Sequence, residues 1–443
     1  METNPKLAIM GARLLDGTGS KPIPSGAVLV DASGRIAAAG PSDQVHVPEG
    51  IPTLRAAGMT LMPGLIDSHV HLAWDKLLYA PRPVGRHLVS AQGLERQLVR
   101  AGHYAQTALA AGVTTLRDCG ADDFSILALR DMIDAGSFVG PRVLASGRPI
   151  TTTGGHIYTD WGVDSVDEII KAVRIQASKG VDFIKIILSG GTTTPGTNIS
   201  RAQYTAQELG AAVDDAHRLG LQVAVHAIST DSIRLAAEVG VDTIEHCSWI
   251  GRDARSTVPD KRAVESMVAN DVRVDHAIIP RPYLFPDEHG QGCSAEEEWW
   301  LKMLQVRWPF LHTMKEQGVS LFLGTDAAFG PWPGTDLWPG FEEMARALEI
   351  MVRWAEFTPL EAITMVTGGA AQALRLDGEI GAVKEGLRAD LILLDGDPLA
   401  DIHSLRQVAM VFRDGKLVAN QGQIVLDSAP ASSTGLRGWE LPT

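Results

Sequence analysis

Two features of the sequence predict an α/β fold. Eight short apolar runs alternate with helical periodicity through the middle of the chain, and the two ends share a texture of short strands broken by Gly, Pro and Asp. Together they predict a (β/α)8 TIM-like barrel over residues 61–375. A small β-sandwich would be built from both ends, residues 1–60 and 376–430, leaving 431–443 as a C-terminal tail.

The elements follow in order. Leu7–Met10, Ala27–Val30 and Ile36–Ala39 read as N-terminal strands. The barrel strands are expected at Leu65–His71, Val113–Arg117, Arg142–Ser146, Phe183–Leu188, Gln222–His226, Thr243–His246, Val272–Ile278 and Ser320–Gly324. Helical spacing lies between several of them, at His87–Ala111, Ser165–Lys179, Ala206–Leu219, Thr230–Val239 and Pro309–Gln317. Asp390–Asp395 and Val408–Phe412 return to the strand pattern. No G-x-G-x-x-G turn follows the first barrel strand, which counts against a doubly wound nucleotide-binding sheet.

Composition narrows the class. The chain has 443 residues, 45% hydrophobic and 21% charged, an ordinary globular balance. A net charge of −14 disfavours nucleic acid as a partner. No apolar run of roughly 18 residues offers a membrane span. The first residues lack the basic and apolar regions of a signal peptide, and three scattered cysteines suit a reducing compartment, so a cytoplasmic location is expected.

Chemistry-bearing residues gather at the strand ends. His69 and His71 are two apart, so one strand face presents both imidazoles, with Asp67 before them. His226 and His246 each close a strand of their own. A single such histidine is usually core. Four at the C-terminal ends of parallel barrel strands converge on one site, and neutral imidazole is a good ligand for zinc and similar ions. Lys185 lies inside an apolar strand, as either half of a salt bridge or a desolvated, reactive amine. Asp326 follows the last strand, as either a helix N-cap or a metal-binding, proton-accepting carboxylate.

Pro63-Gly64-Leu65-Ile66-Asp67-Ser68-His69-Val70-His71, Gly112-Val113-Thr114-Thr115-Leu116-Arg117-Asp118, Phe183-Ile184-Lys185-Ile186, Val225-His226-Ala227, Ile244-Glu245-His246 and Gly324-Thr325-Asp326-Ala327 stand in one order along the chain. That order, with Gly381–Leu391 near the end, resembles the amidohydrolase superfamily over nearly the whole chain. Gly154-Gly155-His156 and Ser189-Gly190-Gly191 resemble its branch of imidazolonepropionase-like proteins, Xaa-Pro dipeptidases and ochratoxinase. The resemblance implies two divalent metal ions, zinc by family habit. His69, His71 and Asp326 would hold one ion and His226 and His246 the other, with N6-carboxylated Lys185 between them. It implies hydroxide attack on an amide carbonyl, with Asp326 as general base and then acid and His156 as a donor to the carbonyl oxygen. A homo-oligomer is implied as well.

The connections after the strands suggest the substrate. Trp74, Trp161, Trp249, Trp332 and Trp338 follow strands that carry candidate ligands or His156, and Trp299 and Trp300 lie in the long segment 250–310 with Tyr283 and Phe285. Such aromatics either line a pocket for an apolar or aromatic ligand or pack their own loops. The segment 250–310 reads as a lid or a subunit contact. Arg201 and Tyr204 follow a Gly-rich loop and either bind a substrate carboxylate or stay solvated and packed. The expected reaction is hydrolysis of a small-molecule amide, an N-acyl amino acid or dipeptide-like compound with a bulky aromatic group. N-aryl carbamates or ureas, lactones and phosphoesters are the alternative substrates. A scaffold without catalysis would not need the full ligand set, and deaminase relatives lack the Lys185 pattern.

Overall fold

The computed structural model describes residues 5–75, 94–158, 160–192, 194, 196–278, 295–329, 340 and 343–426. The chain opens with β1 (Pro5–Leu14), β2 (Ile23–Asp31), β3 (Ile36–Pro41), β4 (Thr53–Arg55) and β5 (Thr60–Pro63). Strands and helices then alternate: β6 (Leu65–Asp75), α1 (Leu94–Ala110), β7 (Val113–Asp118), α2 (Ser125–Asp134), β8 (Arg142–Ala145), α3 (Val166–Ser178) and β9 (Phe183–Ile187). The alternation continues with α4 (Ala206–Arg218), β10 (Gln222–Ser229), α5 (Thr230–Val239), β11 (Thr243–Ile250), α6 (Lys261–Ala269), β12 (Arg273–Asp275), α7 (Ala295–Glu316), β13 (Leu321–Phe322) and β14 (Ala327–Phe329). Helices α8 (Met344–Arg353), α9 (Pro359–Met365) and α10 (Gly368–Ala373) precede β15 (Leu391–Leu394), β16 (Val408–Arg413), β17 (Lys416–Asn420) and β18 (Gln423–Ile424).

Local chemistry sets the helix ends. The Thr205 hydroxyl accepts the Glu208 N–H and the Glu208 carboxylate accepts back, a capping box that starts α4. Thr358 and Glu361 do the same for α9, with Pro359 in the first turn where its missing N–H costs nothing. Helix α5 stops at Gly240, whose φ of +80° is the left-handed cap that glycine adopts without strain.

The middle strands form two parallel sheets, ordered β14-β6-β7-β8 and β13-β12-β11-β10-β9. The sheets meet at both edges. Past β8, the Ile150 N–H donates to the Lys185 carbonyl at 2.8 Å and the Ile187 N–H to the Ile150 carbonyl at 2.8 Å, which ties the strand to β9. At the other edge β13 pairs with β12, and β14, four residues on, pairs with β6. The expected eighth strand is therefore split around Gly324-Thr325-Asp326. Asp326 has φ +53°, and a Cβ at position 324 would fall 2.5 Å from the His69 backbone nitrogen.

Both chain ends contribute to one nine-stranded sheet, ordered β18-β17-β16-β15-β5-β1-β2-β3 with β4 on β1. Its seam is β5 against β15, where Leu61 faces Leu393 and Met62 faces Ile392. The two-residue period of a strand divides the apolar side chains between two cores. Leu391 and Leu393 pack with Ile9, Val28 and Phe412, while Ile392 and Leu394 join the large α/β core.

Several expectations change. Segment 250–310, expected as a lid or subunit contact, holds helix α6 and most of α7 besides the expected strand β12, with 279–294 outside the described residues. Helix α7 starts at Ala295 and carries Pro309 inside it, not at its start. The buried Trp308 and Leu311 on either side hold that stretch against the core. Helices α2, α6, α8, α9 and α10 were not foreseen. Helix α10 begins Gly-Gly and spans six residues, too few to show a period, whereas α8 sets Arg346 and Arg353 on one face against a buried apolar one. No helix among the described residues is long and apolar enough to cross a membrane.

Candidate metal centre

The C-terminal ends of the parallel strands bring five imidazoles into one run. Ring centroids are 5.3 Å apart for His71 and His69 on β6, 5.0 Å for His69 and His246 on β11, and 4.6 Å for His246 and His226 on β10. His156, in the turn after β8, lies 4.7 Å from His226. Asp326 closes the run at the strand break. Its Oδ1 is 3.4 Å from His71 Nε2 and 3.6 Å from His69 Nε2. One ligand atom from each of His69, His71 and Asp326 lies within 4.8 Å of the other two.

Each of three rings has one nitrogen against an acceptor and the other left for a ligand. His71 Nδ1 meets the Gly120 carbonyl at 3.0 Å and His226 Nε2 meets the Gly190 carbonyl at 3.1 Å. His69 Nδ1 lies 3.2 Å from Glu245 Oε2. This is the arrangement of metal-binding histidines, whose second nitrogen is tied down so that the first keeps its lone pair free.

Electrostatics agree with neutral imidazoles. Burial, with Lys185 nearby, pushes His69 down to about 4. Burial and neighbouring rings hold His226 and His246 well below the ordinary value, and burial takes His156 to about 3. Burial alone would raise Asp326, but His69, His71 and His246 outweigh it and keep the carboxylate ionised. Lys185 is buried at 2% exposure, and its Nζ has no hydrogen-bond partner among the described residues. The salt-bridge alternative for Lys185 is therefore not what the structure contains. Nor is Asp326 a helix cap, since β14 follows it.

Beneath the histidines lies a charged layer that sequence reasoning did not assign. Arg117 Nη2 donates to Glu245 Oε1 at 2.7 Å, its Nε to the Ser68 carbonyl at 2.6 Å and its Nη1 to Thr243 at 3.2 Å. Asp275 Oδ2 stands 3.7 Å from His69 Nδ1. Asp67 takes the Thr325 N–H at 2.9 Å and hydroxyl at 2.6 Å, which fixes the chain just before Asp326. Arg307, on α7, donates to the carbonyls of His246 and His276, where β11 twists through φ +68° at His246. The signal was present: Arg117, Glu245 and Asp275 are charges inside apolar strands, which are costly to bury unless paired. A second ligand-like trio, His69, Cys119 and Glu245, lies in this layer. Burial pushes the Cys119 thiol far up and Glu245 is committed to Arg117, so the trio reads as structural.

The expected substrate contacts fare differently. Tyr204 is buried and its hydroxyl donates to the Val163 carbonyl at 2.9 Å, so it packs and does not await a carboxylate. Trp249 is 1% exposed, edge-on to Phe310 at 5.5 Å, and belongs to the core. Arg201 pairs with Asp231 at 3.4 Å. Trp161 packs against the core beneath the Arg148 guanidinium, 5.0 Å from its ring centroid. Trp332, Trp338, Tyr283 and Phe285 lie outside the described residues, as do the side chains of Trp74 and Trp300. Trp299 is half-buried and donates to the Arg255 carbonyl at 3.4 Å.

Comparison with known proteins gives a consistent picture. The model of the Amidohydrolase family matches residues 60–418. Ochratoxinase of Aspergillus niger is 27% identical over 395 residues, covering 82% of this chain and 76% of its own. A crystal structure of a Xaa-Pro dipeptidase with bound methionine in the active site superposes with a TM-score of 0.76 at 26% identity, covering 93% of this chain and 99% of that one. Phenylurea hydrolase B superposes with a TM-score of 0.77 at 25% identity, over 93% and 96%.

Proposed function

The chain belongs to the amidohydrolase family and is a hydrolase acting on amide bonds, and from that premise we propose a metal-dependent enzyme that cleaves N-acyl amino acids or dipeptide-like amides carrying a bulky aromatic group. The ring of parallel strands, tied at both edges, supports reading residues 61–375 as a (β/α)8 barrel, with residues 1–60 and 376–430 as the composite β-domain. The site would sit where such barrels place theirs, at the C-terminal ends of the strands.

The observation that carries the reading is the meeting of His69, His71 and Asp326 within ligand reach, backed by His226, His246 and a buried Lys185 without a hydrogen-bond partner among the described residues. Nitrogen and carboxylate donors in this set suit zinc. His69, His71 and Asp326 would hold one ion, and His226 and His246 the other. The buried Lys185 amine would add carbon dioxide with loss of one proton, and the resulting carbamate would supply oxygen ligands to the ions. Bound ions would supply acidified water and a polarised carbonyl. The chain's own groups do the rest. Asp326 takes the proton of the attacking water and returns it to the departing amine, which leaves poorly unless protonated. His156 donates a hydrogen bond to the carbonyl oxygen as negative charge builds there.

Similarity to ochratoxinase and to the Xaa-Pro dipeptidase supports an amide substrate whose product is a free amino acid. A second reading, hydrolysis of N-aryl ureas or carbamates, is favoured by the likeness to phenylurea hydrolase B and by Arg201, which is already paired with Asp231. Chromatography of an N-aroyl phenylalanine incubated with purified, zinc-supplemented protein separates them. Free phenylalanine, absent with Asp326→Ala, supports the first reading. No release from metal-loaded protein, with turnover of an N-aryl urea, replaces it with the second.

A further inference from the structure

We infer that Thr194 is a positioning residue that decides which ring nitrogen of His156 carries the proton. The inference rests on the reading of His156 as the donor to the substrate's carbonyl oxygen. His156 is pinned through its backbone: its N–H donates to Gln203 Oε1 at 3.0 Å and its carbonyl accepts the Thr151 hydroxyl at 2.9 Å. One face of its ring lies on Gly191, where a Cβ would fall 2.3 Å from Cε1 and Nε2. The ring therefore has little freedom to turn, and what it offers depends on the state of its two nitrogens.

His156 Nδ1 stands 2.7 Å from the Thr194 hydroxyl. The same oxygen accepts the Ile157 N–H at 3.1 Å. A hydroxyl has one hydrogen to give, and among the described residues Nδ1 is the acceptor within its reach. Thr194 is satisfied when it donates, so Nδ1 is the acceptor and the imidazole proton sits on Nε2. An Nε2–H can stabilise a developing oxyanion. The other tautomer would present a lone pair from Nε2 and repel it. The sequence neighbourhood gives no hint of this, because helix α3 and strand β9 lie between His156 and Thr194.

The test uses the full-length protein with histidine labelled by nitrogen-15. Long-range proton–nitrogen spectra identify the tautomer, and His156→Gln marks which signals belong to His156. The expected result is an Nε2–H tautomer in the wild type and in Thr194→Ser, and a mixed or reversed tautomer in Thr194→Val. With a working substrate, Thr194→Val should lose about tenfold in kcat with KM nearly unchanged, and Thr194→Ser should recover most of it. A wild-type ring protonated at Nδ1 overturns the inference. So does a Thr194→Val protein with wild-type tautomer and kcat. If Thr194→Val does not fold, the wild-type spectrum still decides. These spectra need no substrate, so a wrong substrate assignment and a wrong role for Thr194 give different results.

Discussion

Asp326 Oδ1 lies 3.4 Å from His71 Nε2, although the two come from the last and first strands of the parallel ring. The contact exists because the eighth strand breaks at Gly324–Asp326 and turns the carboxylate inward. Asp326→Asn keeps the shape and removes the proton acceptor. We expect kcat to fall by about 10² to 10⁴. Circular dichroism and melting temperature should stay near wild type; full activity in the asparagine variant would remove Asp326 from the proton pathway.

Lys185 is a buried amine whose Nζ has no hydrogen-bond partner among the described residues, near the candidate ligands His69, His226 and His246. If it bridges two ions as a carbamate, Lys185→Met should lower zinc content from about two per chain toward one, read by elemental analysis. Chelation of the wild type should abolish turnover, and zinc with bicarbonate should restore it more fully than zinc alone. Unchanged metal content in Lys185→Met would count against the bridge.

The layer under His69 depends on Arg117. Its guanidinium offsets the buried Glu245 carboxylate, and Asp275 stands 3.8 Å from the same Nη2. Arg117→Met keeps length but strands a buried charge. The expected loss is about 3–5 kcal/mol of stability, measured by urea unfolding. The double variant with Glu245→Gln should recover part of it, and additive losses would show that the pair is not coupled.

His156 supplies a pH signature. Burial lowers it to about 3 in the folded protein, against an ordinary value of 6.5. Below that ordinary value the unfolded chain binds a proton that the folded ring refuses. The ring's contribution is thus complete above about pH 6.5 and is lost as pH falls toward the folded value. In metal-free protein, the stability of wild type relative to His156→Gln should drop by about 3 kcal/mol between about pH 7.5 and about pH 4.5. A difference that does not change with pH would mean that the ring is charged or solvated.

The strands carrying His69, His71, His226 and His246 were legible from their apolar runs, although they continue past the histidines that were expected to close them, to Asp75, Ser229 and Ile250. Helix α10 was not, because six residues beginning Gly-Gly are too few to reveal a period, while the apolar stripe of α8 was there to be read. Lys185 and Asp326 were seen, with their roles open. Only three-dimensional packing shows that Lys185 has no hydrogen-bond partner among the described residues and that a strand follows Asp326. Arg201, Tyr204 and Trp249 were chosen for their chemistry and position in the sequence. A neighbouring Asp231, the Val163 carbonyl and the Phe310 ring had already claimed them. Arg307 was invisible because it acts on backbone carbonyls, which no side-chain motif records.

The seam between β5 and β15 has a consequence for how the molecule is made. Leu61 and Met62 leave the ribosome long before their partners Leu393 and Ile392. Throughout translation one edge of β5 stays bare, with unpaired amides and apolar side chains open to other nascent chains. Closing the sheet is thus a late event, joining parts of the message that lie far apart. Until then that edge of β5 is a template on which another chain can pair.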